Sequence, residues 1–196
     1  PTRKDILSVF AGLRPLAKPQ EGEKTATKEI SRGHKILISL SGLITIVGGK
    51  WTTYRKMAEE TIEKAIMLGG LPERDCITGH LPIHGYRMSL ELQEGPLAHY
   101  GLDKEKILEI AKTDKVWDGW LSEKLSIRKS QVAWAVRNEW ARTIEDVLAR
   151  RTRALFIDAR ESLRIAPEVA KLMAKELGKT RKWEEEQLRK YNELAE

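Results

Sequence analysis

Apolar and polar positions follow two rhythms along this chain. Up to about residue 50 the apolar residues come in short runs, ILSVF, HKILISL and LITIVGG, dense in Ile, Leu and Val, which is the pattern of β-strands. The second and third runs are separated by the turn pair Ser41-Gly42 and read as a hairpin. Between the first run and the hairpin, KPQEGEKTATKE combines Pro, Gly and charges and predicts an exposed loop. From Lys50 onward the period lengthens. Tyr54, Met57, Ala58, Thr61, Ile62, Ala65 and Ile66 recur at spacings of three and four, so WTTYRKMAEETIEKAIML predicts an amphipathic helix closed by Gly69-Gly70.

Residues 70–87 hold LPERD and LPIHGY without a clear period and read as a linker. Beyond it the pattern is helical throughout. SLELQEGPLAHYG and KEKILEIAKT are candidate segments, followed by SQVAWAVRNEWA with Val132, Val136 and Trp140 on one stripe. Thr143 ahead of Ile144, Glu145 and Asp146 resembles a capping box, which predicts a break near Arg142. Pro167 is expected at the first turn of a helix PEVAKLMAKEL, closed by Gly178. The fold class expected is therefore mostly α: an N-terminal β-hairpin plus helix within residues 1–69, a linker over 70–87, and an all-helical C-terminal domain over 88–196.

Composition narrows the functional classes. At 196 residues, 41% hydrophobic and 33% charged, the chain can bury a core, and no apolar run approaches the roughly 20 residues of a membrane-spanning helix. A balance of 35 Lys plus Arg against 29 Asp plus Glu gives +6, a surface that attracts phosphates, nucleic acid or an anionic bilayer. Much of that charge is interleaved, as in KWEEEQLRK, where opposite signs at helical spacing form a solvated face. The single cysteine, Cys76, cannot form an internal disulfide and fits a reducing, cytoplasmic compartment. The opening PTRKDILSVF has neither an initiator Met nor the apolar core of a signal peptide and reads as the continuation of a longer chain.

Chemistry concentrates in three places. In IVGGKWTTYR, residues 46–55, two glycines and a lysine stand where a strand gives way to a helix. Glycines there let backbone approach a ligand, and the first helix amides point outward, unpaired and partly positive. An anion or a polarised carbonyl is the natural guest, although the same pattern also serves as a tight connection, and it is not a P-loop. In GLRPL, residues 12–16, Gly12 and Pro15 flank Arg14 and would fix a guanidinium suited to phosphate or carboxylate, or leave a surface loop arginine. Arg32, in SRGHK just ahead of the hairpin, is on its own a solvated loop charge. His80 and His84 are four apart, but Pro82 and Gly85 make their segment a loop, so no metal site is expected. Trp134 and Trp140 read as core or contact residues, and Arg150–Arg153 as a junction paired with Glu139, Glu145 and Asp146.

Taken together, GLRPL, the S-R-x-H segment, GLITIVGGKWTTYRKMAE and the later EDVLARRTR resemble, in order and spacing, the FAD-dependent glycerol-3-phosphate dehydrogenases. The likeness spans nearly the whole chain and implies the closing part of the flavin and substrate domain followed by the family's helical C-terminal domain. It implies that Arg14, Arg32 and Lys50 lie at the substrate, glycerol 3-phosphate, and that Gly48, Gly49, Lys50, Trp51 and Thr52 face FAD. A quinone or another acceptor would take the electrons. Peripheral attachment to the inner face of the cell membrane and a homodimer are both compatible with it. The dinucleotide-binding G-x-G-x-x-G turn and the family's active-site histidine do not occur among these residues, so the chain alone is expected to be inactive and free of tightly held FAD. The other readings are an autonomous helical interaction module and a basic nucleic-acid-binding domain.

Overall fold

The computed structural model describes residues 2–13, 33–86 and 95–195. It divides into two compact units, Gly12–Pro82 and a second made of Pro1–Ala11 with Ile83–Glu196. The mostly-α class with an early hairpin holds. Among the described residues no helix is long and apolar enough to cross a membrane, and no group of three acidic, histidine or cysteine side chains is placed to hold a metal.

The first unit is a hairpin followed by a helix. Strands β1 (His34–Ile38) and β2 (Ile44–Gly48) pair antiparallel, with Lys35 opposite Val47 and Leu37 opposite Thr45. Their turn is closed by the Ser39 and Leu43 backbones, with Gly42 at a φ of +83°, a left-handed conformation that glycine adopts without steric cost. Helix α1 (Tyr54–Gly69) ends on Gly70, also left-handed, as the Gly-Gly pair predicted. None of the described residues of this unit is fully buried.

The helical unit builds a closed core. Helices α2 (Lys104–Thr113), α3 (Lys129–Asn138), α4 (Ala154–Ile157), α5 (Ala159–Leu177) and α6 (Arg181–Ala195) enclose Ile107, Val132, Ile144, Leu148, Ile165, Val169 and Met173, all 2% exposed or less. The apolar face of α5 accounts for much of this: Ile165, Val169 and Met173 recur every four residues, the spacing that stacks side chains on one helix face. Arg181–Glu185, Lys190–Glu186 and Arg189–Glu193 pair along the solvated side of α6, as the interleaved charges predicted. The N-terminal segment does not form the strand expected of ILSVF. After a single turn at Arg3–Asp5 it runs extended over this unit, held by the Ala159 N–H donating to the Leu7 carbonyl (3.0 Å) and the Ser8 hydroxyl donating to the Leu155 carbonyl (2.7 Å).

Three details depart from the sequence reading. Pro167 lies inside α5, not at its start. The helix begins eight residues earlier, where the Asp158 carboxylate accepts from the Glu161 N–H (3.0 Å), and proline's missing N–H costs one internal bond without ending the apolar stripe. The helical domain also holds a short hairpin, β3 (Trp120–Ser122) with β4 (Ile127–Arg128). Trp140 leaves the Val132 and Val136 stripe altogether: α3 stops at Asn138, and Trp140 takes a φ of +58° with 78% of its surface exposed, under the Arg142 guanidinium. The box at Thr143 is made with Asp146, each side chain accepting from the other's N–H, and a π-helical stretch follows at Asp146–Arg151. Within it Arg150 reaches Glu145 and Asp146, while Arg151 approaches Glu139, so the arginine cluster is charge-paired as expected.

Candidate functional site

The corner where β2 hands over to α1 is built from backbone outward. Gly48 and Gly49 both take positive φ, +82° and +86°, which disfavours any side chain at either position. A Cβ on Gly49 would also overlap the Met57 thioether beneath it. The Gly49 N–H donates to the Gly33 carbonyl (3.2 Å), extending the ladder by one pair. In this register the hydrogen-bonded pairs are those of odd number. The backbone groups of Gly48 therefore point away from β1, toward the open edge of β2.

Lys50 then turns the chain. Its N–H donates to the Thr53 hydroxyl (3.2 Å), which in turn donates to the Lys50 carbonyl (3.0 Å). A single tight turn at Trp51–Thr53 leads into α1, its first helical bond being Thr53 N–H to Lys50 carbonyl (3.0 Å). The N–H groups of Trp51 and Thr52 precede that bond and so have no helical acceptor. They share the corner with the Lys50 ammonium, which is exposed and makes no ion pair among the described residues. The neighbouring cations are engaged on α1. Arg55 donates to Glu59 (2.7 Å), holding that carboxyl below its usual range, and Lys56 lies 3.3 Å from Glu59.

Among the described residues the corner is open rather than packed beneath other groups. Trp51 is 86% exposed and stacks on Tyr54 with ring centres 5.4 Å apart. An apolar wall, outward backbone amides and the exposed Lys50 ammonium thus meet at a stretch of backbone bare of side chains. Such a set receives a flat, electron-accepting ring or an anion. Of the five positions expected at a cofactor, Gly49 and Lys50 spend their amides inside the corner, which leaves the N–H groups of Gly48, Trp51 and Thr52 facing outward. Arg14 and Arg32 lie outside the described residues.

Two neighbours of the corner went unread in the sequence. His34, on β1 opposite Gly48, donates from Nε2 to Glu60 Oε2 on α1 (2.7 Å), and Met57 fills the space under Gly49. No local pattern joins residues 26 apart, although the His that closes the S-R-x-H segment was the available signal. Farther along α1 a cleft of about 950 Å³ is lined by Glu59, Glu63, Glu73 and Asp75 against Lys64 and Arg74. Its acidic excess suits no phosphate, and it does not include the glycine corner. In the helical unit His84 and Asp103 pair through Nδ1 (2.9 Å), with Lys106 on the other carboxylate oxygen (3.1 Å), an anchor for the chain entering that unit.

A family model described as the C-terminal domain of alpha-glycerophosphate oxidase matches residues 41–187. Over 196 aligned residues the chain is 35% identical to a probable mitochondrial glycerol-3-phosphate dehydrogenase of Caenorhabditis elegans, covering 90% of this chain and 27% of that protein. It is 35% identical to the mitochondrial glycerol-3-phosphate dehydrogenase of Rattus norvegicus, over 98% of this chain and 28% of that protein. The Saccharomyces cerevisiae enzyme of the same name is 31% identical over 93% of this chain and 35% of its own length. The chain thus spans about a third or less of the relatives it matches.

Proposed function

Because the chain belongs to the family of the C-terminal domain of alpha-glycerophosphate oxidase, we propose that it serves within an FAD-dependent enzyme that oxidises glycerol 3-phosphate to dihydroxyacetone phosphate. Residues 1–69 supply the closing part of the catalytic domain, 70–87 the linker and 88–196 the helical domain. The observation that carries this reading is the exposed Gly48-Gly49-Lys50 corner, where the outward Trp51 and Thr52 amides meet the Lys50 ammonium.

The residues fit one edge of a flavin ring. The backbone of Gly48 and Gly49 leaves room for close approach, and the Trp51 and Thr52 amides would hold the ring's pyrimidine edge. When bound, FAD supplies the acceptor for the hydride that leaves the secondary carbinol carbon of the substrate, and electrons pass on to a quinone or similar acceptor. The chain's own contribution is positioning and charge. The amides and the Lys50 ammonium stabilise negative charge where it grows. Arg14 would pair with the substrate phosphate through its planar fork, and Arg32 would serve the same substrate. An enzyme that reduces a quinone works at a membrane face, so we place it peripherally, on the inner side. By itself the chain holds too little of a dinucleotide cradle to keep FAD.

The test is single-turnover reduction of the flavin in the full-length protein. Arg14→Ala is expected to raise KM for glycerol 3-phosphate at least tenfold, since a charge-assisted bidentate pair contributes about 1.5–3 kcal/mol. Lys50→Ala is expected to slow flavin reduction itself. Parent kinetics in both variants would remove the site assignment and leave the family membership untouched.

A further inference from the structure

The corner can serve a ligand only if α1 meets the hairpin at a fixed angle, since that angle aims the Trp51 and Thr52 amides and the Lys50 ammonium. Three contacts set it. The Gly49 N–H to Gly33 carbonyl bond continues the sheet, so it fixes the corner to β1 but not to the helix. Met57 supports Gly49 from α1 through the end of a flexible thioether, a group that adapts its shape and specifies direction poorly. The third contact is directional and spans the two elements: His34 on β1 donates to Glu60, almost two turns into α1, at 2.7 Å. His34 stands directly opposite Gly48 in the ladder, and its Cβ lies 3.4 Å from where a Cβ on Gly49 would be. His34 therefore flanks the glycine pair together with Met57. Glu60's second oxygen faces Lys56 at 3.9 Å, so both ends of the carboxylate are held.

We propose that His34 and Glu60 are a positioning pair for the proposed dehydrogenase site, fixing the helix start that presents Lys50, Trp51 and Thr52 to the flavin and substrate. The pair touches no ligand itself, and the inference rests on the flavin reading of the corner. His34 is 18% and Glu60 36% exposed, so the link adds little to folding stability. Loss of aim, by contrast, is costly, because a misplacement of about 1 Å can lower a rate about 100-fold. Removing the pair should therefore act on catalysis out of proportion to its effect on folding.

The experiment compares His34→Ala, Glu60→Ala, the double variant and Glu60→Gln in the full-length flavoprotein, with Lys50→Ala alongside. The readouts are the single-turnover rate of flavin reduction by glycerol 3-phosphate, KM, and the thermal midpoint. Each alanine variant is expected to slow flavin reduction about tenfold, with the double variant no slower than either single one. Glu60→Gln, whose amide still accepts from the imidazole, is expected to recover most of the rate. Reduction within twofold of the parent in both alanine variants would overturn the proposal. So would losses that multiply in the double variant while Glu60→Gln is as slow as Glu60→Ala. If Lys50→Ala is slow and the pair's variants are not, only the positioning role falls. If Lys50→Ala matches the parent, the site reading falls and the pair's role with it.

Discussion

The two units treat their apolar side chains in opposite ways. In the helical unit Ile107, Val132, Ile144, Val147 and Met173 are wholly enclosed, and even Trp117 and Trp134 are nearly so. In the hairpin unit Leu40, Leu43, Ile62 and Met67 stand more than half exposed on a strand pair and helix, and none of its described residues is fully buried. Both are built from ordinary amphipathic elements, so the difference lies in the number of layers. Five helices can surround a volume, whereas a two-stranded sheet and one helix cannot. It is the hairpin unit, open among its described residues, that carries the candidate site. The closed unit holds the core; the open one holds the proposed site.

Truncating an apolar side chain in each unit gives the widest separation. Met173→Ala is expected to cost about 2–5 kcal/mol in denaturant unfolding of the chain, against no more than about 0.5 kcal/mol for Ile62→Ala, which is 59% exposed. Equal losses would erase the contrast. Two glycines sharpen it next. Gly101 has a φ of +53°, and a Cβ there would run into the backbone carbonyls of Gly85 and Tyr86, whereas Gly70, at +58°, has open space around it. Gly70→Ala should cost about 1–2 kcal/mol from conformation alone. Gly101→Ala should exceed it by about 1–3 kcal/mol, because backbone must move; thermal unfolding of the two variants measures the difference.

Acid gives the smallest effect. Arg164 first, and then the Ser122 hydroxyl, hold the Glu161 carboxyl down at about 2 from an ordinary 4.5. A depressed folded value means the contribution is complete above pH 4.5 and is lost as the pH falls toward 2. Glu161→Gln should therefore flatten the acid limb of the stability curve in that window. Glu59→Gln in the hairpin unit should leave it nearly unchanged, since water screens the exposed Arg55 partner.

Local chemistry was legible wherever neighbouring residues carried the whole instruction. The Gly-Gly-Lys corner, the left-handed stop at Gly70, the limits of α2 and the capping box at Thr143 all depend on residues within one turn of each other. Features decided by packing were not. Pro167 resembles a helix start, but Asp158 followed three residues later by Glu161 is the stronger start signal, and a stripe from Ser162 to Met173 carries the helix across the proline. Strands β3 and β4 are too short to show a period. The His34–Glu60 link joins elements that only the folded chain brings together. Trp140 had the right spacing for the core, but α3 ends two residues before it.

That last displacement has an optical consequence. Trp134 is enclosed, with its indole N–H given to Glu139, while Trp140, six positions on, stands in solvent beneath a guanidinium. One indole therefore emits from a rigid, dry setting and the other from a polar, relaxing one. The cation over Trp140 also gathers anionic quenchers such as iodide at that ring and not at Trp134.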